Sequence, residues 1–280
     1  MAIKYIKPGS GTGSGTLSDP YFYDDQLATA EAAAGSGGTL YFTDGAYDFT
    51  GDVTWDENGV TYESLNLQKA VLTRTGLNAG DAPNFLNVGA SGNTIAPNVK
   101  NFKIVNFMIK FSHPAGLSTA NNPTFQGNHV STSTRLSMAN ANRAILLTPG
   151  IGIQPIKVYD NSFSWEYDGA YGRWLRRIAT GSDFQRNSFF LEVTNLTTIE
   201  LDANNTISIN KNNIFATTDN AKANTSPNVS TNSVNCCIHN FAVSSGGTDN
   251  IFADPLYVNP TDADLRLRPT SPCINAGTTS

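Results

Sequence analysis

KVYDNSFS (157–164), DFQRNSFF (183–190), INKNNIFA (209–216) and CCIHNFAV (236–243) each pass from a strand-like opening through a polar bend to an aromatic residue. Phe163, Phe189, Phe215 and Phe241 recur at one constant interval, and Asn161, Asn187, Asn213 and His239 stand two places before them. An earlier copy, VKNFKIVNFMIKF (99–111), lies two repeats upstream if Met108 takes the phenylalanine place. A repeat of this length built from short strands leaves few architectures. Leucine-rich repeats would carry leucines at fixed offsets, and propeller blades are longer. A parallel β-helix fits. Like positions then stack about 4.8 Å apart, so the phenylalanines fill an interior and the asparagines hydrogen-bond along the stack. The spacing predicts a structural ladder of Asn161, Phe163, Asn187, Phe189, Asn213, Phe215, His239 and Phe241.

The composition agrees with an all-β chain. Only 15% of the 280 residues are charged, against about 25% in an average globular protein. Asn occurs 31 times, and Gly, Ser and Thr are plentiful. These residues suit turns and strands rather than long surface helices. One stretch departs, DDQLATAEAAAG (24–35), which reads as a short helix with Asp24 or Asp25 as N-cap and Gly35 at its stop. A net charge of −5 and the lack of a Lys/Arg run exclude a nucleic-acid footprint. No apolar run reaches the roughly 20 residues that span a bilayer, so no membrane insertion is expected. MAIKYIK (1–7) has no apolar signal stretch, and synthesis in a cytoplasm is expected. Cys236, Cys237 and Cys273 read as small buried apolar residues rather than a disulfide framework.

A single domain is expected over 1–280. Residues 1–38 form an N-terminal strand and a capping helix, 39–250 the coils, and 251–280 a C-terminal cap. Around 111–150 the polar stretch HPAGLSTANNPTFQGNHVSTSTRLSMANANR (113–143) lacks alternating apolar positions and reads as a long loop excursion.

KYIKPGSGTGSGT (4–16), the helix, GGTLYFTDGAYDF (37–49) and the terminal DPLYVNPTDADLRLRPTSPCINAGT (254–278) together resemble the right-handed parallel β-helix proteins of the pectin-lyase-like superfamily. The terminal block is similar to the last coil of bacterial and phage members that read D-P-x-(F/Y)-V, then D-(F/Y/L)-x-L, then S-P-x-I-(D/N)-A-G. It supplies Asp254, Pro255, Tyr257, Val258, Asp264, Leu265, Leu267, Ser271, Pro272, Ile274, Asn275, Ala276 and Gly277. The resemblance implies a right-handed helix of about 26 residues per coil, closed at one end by the α-helix and at the other by an irregular last coil. It implies no single activity, because the superfamily holds lyases, hydrolases, adhesins and virion spikes.

Polysaccharide hydrolysis needs two carboxyl groups at a set separation, which would recur at one coil position. The aligned positions Asp160, Arg186, Asn212 and Ile238 make no acidic row, and Asp183, Glu192, Glu200 and Asp202 sit at other offsets. No catalytic residue is therefore assigned. The densest functional stretch is SWEYDGAYGRWLRR (164–177), with Trp165, Glu166, Tyr167, Asp168, Tyr171, Arg173, Trp174, Arg176 and Arg177. Aromatic and Arg side chains anchor subunit interfaces, and beside carboxylates they also hold sugar rings. His113, His129 and His239 lie far apart and no His/Cys cluster has zinc spacing, so no metal is expected. GSGTGSGT (9–16) has no following Lys-Ser/Thr and no strand–loop–helix order, so no phosphate-bearing cofactor is expected.

With no acidic row and no signal stretch, the expected function is a non-enzymatic structural protein of a bacteriophage virion. A capsid decoration protein or a small fibre-like subunit is expected, a homotrimer in contact with other virion proteins. The alternative is an extracellular or tailspike-like protein that binds or degrades cell-surface polysaccharide. Its mark would be a groove lined from at least three successive coils.

Overall fold

The computed structural model of the chain describes residues 1–78, 81–90, 92–112, 122–133, 146–147, 155–167, 171–176, 181–193, 198–201, 209–218, 233–240 and 247–277. These residues are all-β apart from a helix at Tyr23–Ala34 and a 3-10 turn at Pro260–Asp262. Three parallel sheets of ten, eight and six strands carry the fold, an arrangement compatible with a parallel β-helix. The chain visits them in rotation. Lys157–Tyr159 lies in the ten-stranded sheet, Ser162–Tyr167 in the eight-stranded and Tyr171–Arg176 in the six-stranded. Asp183–Gln185 then returns beside Lys157–Tyr159.

Each strand is short because it needs only one or two inward residues. In the eight-stranded sheet the inward row runs Tyr47, Leu72, Ile104, Val130, Phe163, Phe189, Phe215 and Ile238, and every member is buried. Phe163 stacks on Phe189 with ring centroids 4.6 Å apart, and Phe189 on Phe215 at 4.9 Å, nearly parallel. The stack thus repeats the strand spacing in side chains.

The register departs from the expected ladder at both ends. Phe215 pairs with Ile238 and Ala216 with His239, so His239 does not continue the asparagine row. Phe241 lies outside the described residues. At the other end Ile104 takes the phenylalanine place, while Met108 pairs with Phe85 in the six-stranded sheet. Two-residue corners set the alignment, and the longer connections elsewhere absorb differences in length. Within 113–143, where a loop excursion was expected, Thr124–Gln126 and His129–Ser131 are strands, each with a buried apolar residue, Phe125 and Val130. Three-residue strands show too little alternation to stand out from a polar background.

From Asn101 onward, every described corner between the ten- and eight-stranded sheets follows one rule. Its first residue has positive φ: Asn101, Gly127, Asp160, Arg186, Asn212 and Asn235, between 51° and 69°. Its second residue turns inward. Asn128, Asn161, Asn187 and Asn213 hold that place and are buried. The Oδ1 of Asn187 accepts both the backbone N–H and Nδ2 of Asn161, each at 3.0 Å, and Asn213 Oδ1 does the same for Asn187 at 2.8 and 3.0 Å. The Nδ2 groups also donate to the carbonyls of Phe125, Val158 and Phe184. The amides thereby satisfy the backbone groups that a tight bend would leave unpaired. Gly127 is the corner without a side chain, and a Cβ there would come within 2.3 Å of Asn101 Oδ1. Gly127→Ala is expected to cost about 1–2 kcal/mol from left-handed strain, read as a lower urea midpoint at unchanged m-value.

The helix Tyr23–Ala34 begins after Phe22, not at Asp24 or Asp25. Phe22 is extended because it ends the strand Tyr21–Phe22. The two aspartates sit in the first turn instead and pin the Gly/Ser run: Asp25 accepts the Gly11 N–H at 2.7 Å and Asp24 the Ser10 hydroxyl. Gly35 ends the helix with φ 63°, its N–H donating to Glu31 O. Ala30 and Ala34 join the core with Leu40 and Phe42.

After short bridges of Thr248 to Val234 and Ile251 to Cys237, the chain makes an antiparallel hairpin, Tyr257–Asn259 with Asp264–Leu267. The hairpin lies against the outer face of the eight-stranded sheet, where Tyr257 and Leu265 cluster with Phe190 and Ala216. Cys237 and Cys273 are paired as a disulfide with Cα atoms 6.2 Å apart, and Cys236 is free and buried. The expectation of three unpaired cysteines fails for two of them, because the returning segment brings Cys273 back to the strand that holds Cys237.

Candidate functional site

On the outer face of the eight-stranded sheet, residues alternate with the buried row. Val105, Ser131, Ser164 and Phe190 point outward in this pattern, yet all are buried, because the hairpin covers them. Ser164 Oγ ties the roof down by donating to Pro260 O at 3.1 Å. Between sheet and roof lies a groove of about 410 Å³, reaching across four successive strands from Lys103 through His129 and Glu166 to Glu192, with Asp262 on the hairpin side.

Glu166 and Glu192 stand opposite each other on neighbouring strands. In-register parallel neighbours are about 4.8 Å apart, so the two carboxyl groups and the hydroxyls of Ser131 and Ser133 share one floor. The Glu166 N–H is held by Thr132 Oγ1 at 3.0 Å. Such a floor offers acceptors and hydroxyls that match a polyol's own hydroxyls. At the groove's far end, His129 Nδ1 meets Ser162 Oγ at 2.6 Å. Burial, then Lys103, pushes the His129 pKa down to about 4, and Asp264 acts weakly the other way, so the ring is neutral at neutral pH. Asp264 is itself held at about 2 by the Arg266 guanidinium, 2.6 Å away.

No family model matches the chain. Nor does any curated protein or solved structure. Among the described residues no group of three His, Cys, Asp or Glu side chains could hold a metal ion, and no helix is long and apolar enough to cross a membrane.

The sequence-selected residues are divided between two sheets. Trp165 is 1% exposed and belongs to the core, so it offers no face to a partner. The cause is alternation: Phe163 and Trp165 both point inward, and Glu166 points out into the groove. Tyr167 ends the same strand, while Tyr171, Arg173, Trp174 and Arg176 lie on the next strand, in the six-stranded sheet. Asp168, Arg177 and His113 lie outside the described residues. The described residues of the stretch therefore belong to two paired strands of the sheets rather than to a separate element. His239 is half-buried at the end of Cys237–His239.

The Glu166–Glu192 pair escapes the sequence analysis although its signal is present. The two residues are separated by the same interval as Phe163 and Phe189. A search confined to the corner offset passes over a row further along the strand. His129 and the hairpin roof have no comparable signal, since both depend on contacts between segments distant in the chain.

Proposed function

We propose that the chain is a right-handed parallel β-helix with about 26 residues per coil in its central part, closed at one end by the helix Tyr23–Ala34, and that it binds polysaccharide in the hairpin-roofed groove. The observation that carries this reading is the groove itself, floored by residues of four successive strands with Glu166 and Glu192 side by side. Carboxylates recognise sugar hydroxyls through charge-assisted hydrogen bonds, and a rigid sheet holds them with little ordering cost on binding. The reading displaces subunit contact as the role of Trp165, which is in the core.

A setting on a bacteriophage particle, as a homotrimer bound to other virion proteins, is proposed on the resemblance of the terminal block. The rigid, ladder-bonded stack suits such a setting.

The test is binding of purified protein to bacterial capsular and cell-wall polysaccharides by calorimetry, with light scattering to read the oligomer. A saccharide ligand should be found whose affinity drops about tenfold or more in Glu192→Ala, as expected for a lost hydrogen bond to a charged group. Binding that is indifferent to both Glu166→Ala and Glu192→Ala would remove the groove from the account. A stable trimer that adheres to capsids without binding any glycan would favour the structural role instead.

A further inference from the structure

Lys103, His129 and Ser162 occupy the same position on three consecutive strands of the eight-stranded sheet, paired in register. All three face a second, open cleft of about 490 Å³ beside the hairpin, bounded on its far side by Asp264 and Arg266. The register thus sets an ammonium, an imidazole and a hydroxyl in a line, each about 4.8 Å from the next along the backbone. The hydroxyl and imidazole are in direct contact, Ser162 Oγ to His129 Nδ1 at 2.6 Å.

We propose that Ser162 and His129 are a nucleophile and general base that transfer the acyl group of a carboxylic ester to water. The chemistry follows from which groups touch. A neutral imidazole leaves Nδ1 able to accept the serine proton. Ser162 Oγ attacks the carbonyl carbon, forming a C–O bond as its proton passes to Nδ1. The Lys103 ammonium, one strand beyond the imidazole, adds positive charge to the cleft where the oxyanion develops, and the imidazolium is opposed by Lys103 and favoured by the ionised Asp264. Collapse breaks the bond to the alcohol oxygen, which takes the proton from Nδ1 and departs. Water then adds to the acyl-serine with its proton going to Nδ1, and Ser162 leaves carrying that proton back. The sum is ester plus water giving acid plus alcohol, with no other reactant required.

The cleft is open enough for an acyl group displayed on a larger molecule, and small O-acyl esters are the class it suits. Lys103 and His129 also line the roofed groove, so Ser162, which faces the open cleft and not the groove, is the residue that separates this proposal from glycan binding by Glu166 and Glu192.

The experiment is p-nitrophenyl acetate hydrolysis by the full chain, together with labelling by a fluorophosphonate and location of the label by mass spectrometry. Labelling at Ser162 is expected, lost in Ser162→Ala. His129→Gln should slow turnover by about 10²–10⁴-fold, and Lys103→Met should lower kcat more than it raises KM. Turnover should fall only below pH about 4, where His129 protonates, rather than near the ordinary imidazole value. Should Ser162→Ala fail to fold, as judged by circular dichroism, the label position in the wild-type chain and in His129→Gln decides the matter. Absence of label at Ser162, or hydrolysis unchanged in a folded Ser162→Ala, overturns the proposal. Loss of hydrolysis with intact saccharide binding supports it while leaving the groove reading untouched.

Discussion

Asn187→Leu is expected to destabilise the protein by roughly 3–9 kcal/mol, the summed cost of three buried polar groups left unpaired. Leucine branches at the same carbon and is larger, so the loss is not a cavity. It comes from the groups that Asn187 satisfies: the backbone N–H and one Nδ2 hydrogen of Asn161 lose their acceptor, and Val158 O loses a donor. Asn187 is 1% exposed, which leaves no water to replace it. Each such group costs about 1–3 kcal/mol, and three are affected. Urea unfolding followed by circular dichroism measures the change. A loss under about 1 kcal/mol, less than one unpaired group, would mean that the amide row is ornamental and the phenylalanine stack alone holds the corners. Asn187→Asp keeps the acceptor but turns a carboxyl toward Val158 O, so its deficit should grow as pH rises and the carboxyl ionises.

Glu31→Gln is expected to stabilise the protein at pH 8 and leave it nearly unchanged at pH 4. Glu31 lies on the inner side of the helix, 9% exposed, with its Oε1 accepting the Tyr62 hydroxyl at 2.7 Å. Burial raises its pKa to about 7, Asp56 and Glu57 push in the same direction, and the Tyr62 hydrogen bond offsets part of the rise. The folded state therefore holds this proton more tightly than the unfolded chain, whose carboxyl titrates near 4.5. The benefit is complete below the unfolded value and is lost as pH climbs through the folded one. At about 1.4 kcal/mol per unit the swing is on the order of 3 kcal/mol. The neutral amide removes it. Thermal unfolding at pH 4, 6 and 8 should show wild-type stability falling against the variant over this interval. Parallel pH profiles would place Glu31 in a wetter environment than its contacts imply.

The middle of the fold is legible in the residues because strands there are separated by equal lengths of chain. Asn161, Asn187 and Asn213 repeat at one interval, and stacking accounts for an asparagine and a phenylalanine two places apart recurring together. Outside 157–217 the interval varies, so a fixed period loses the register. It is 33 residues from the strand of His129 to that of Ser162, and shorter between Phe215 and Ile238. A rule on corners keeps it: a residue tolerant of positive φ followed by an inward residue marks Asn101-Phe102, Gly127-Asn128 and Asn235-Cys236 equally well. Trp165 is misassigned when composition is weighed without facing. In a strand, Trp165 must share the side of Phe163, and that side is the core. The groove is beyond reach for a different reason, since its roof comes from a hairpin that packs by tertiary contact alone.

That hairpin has a consequence for how the protein is made. Strands of the three sheets pair with neighbours that lie a few tens of positions earlier in the chain, so each can settle as it leaves the ribosome. Ser164 and Pro260, which hold the groove floor to its roof, are 96 residues apart. At about 5–20 residues per second, synthesis separates them by roughly 5–20 s. From their own synthesis until Tyr257 and Leu265 follow, Phe190 and Ala216 have no cover, as an apolar patch on the side of the sheet. A nascent chain arrested before residue 257 should therefore be the form that chaperones hold and that aggregates.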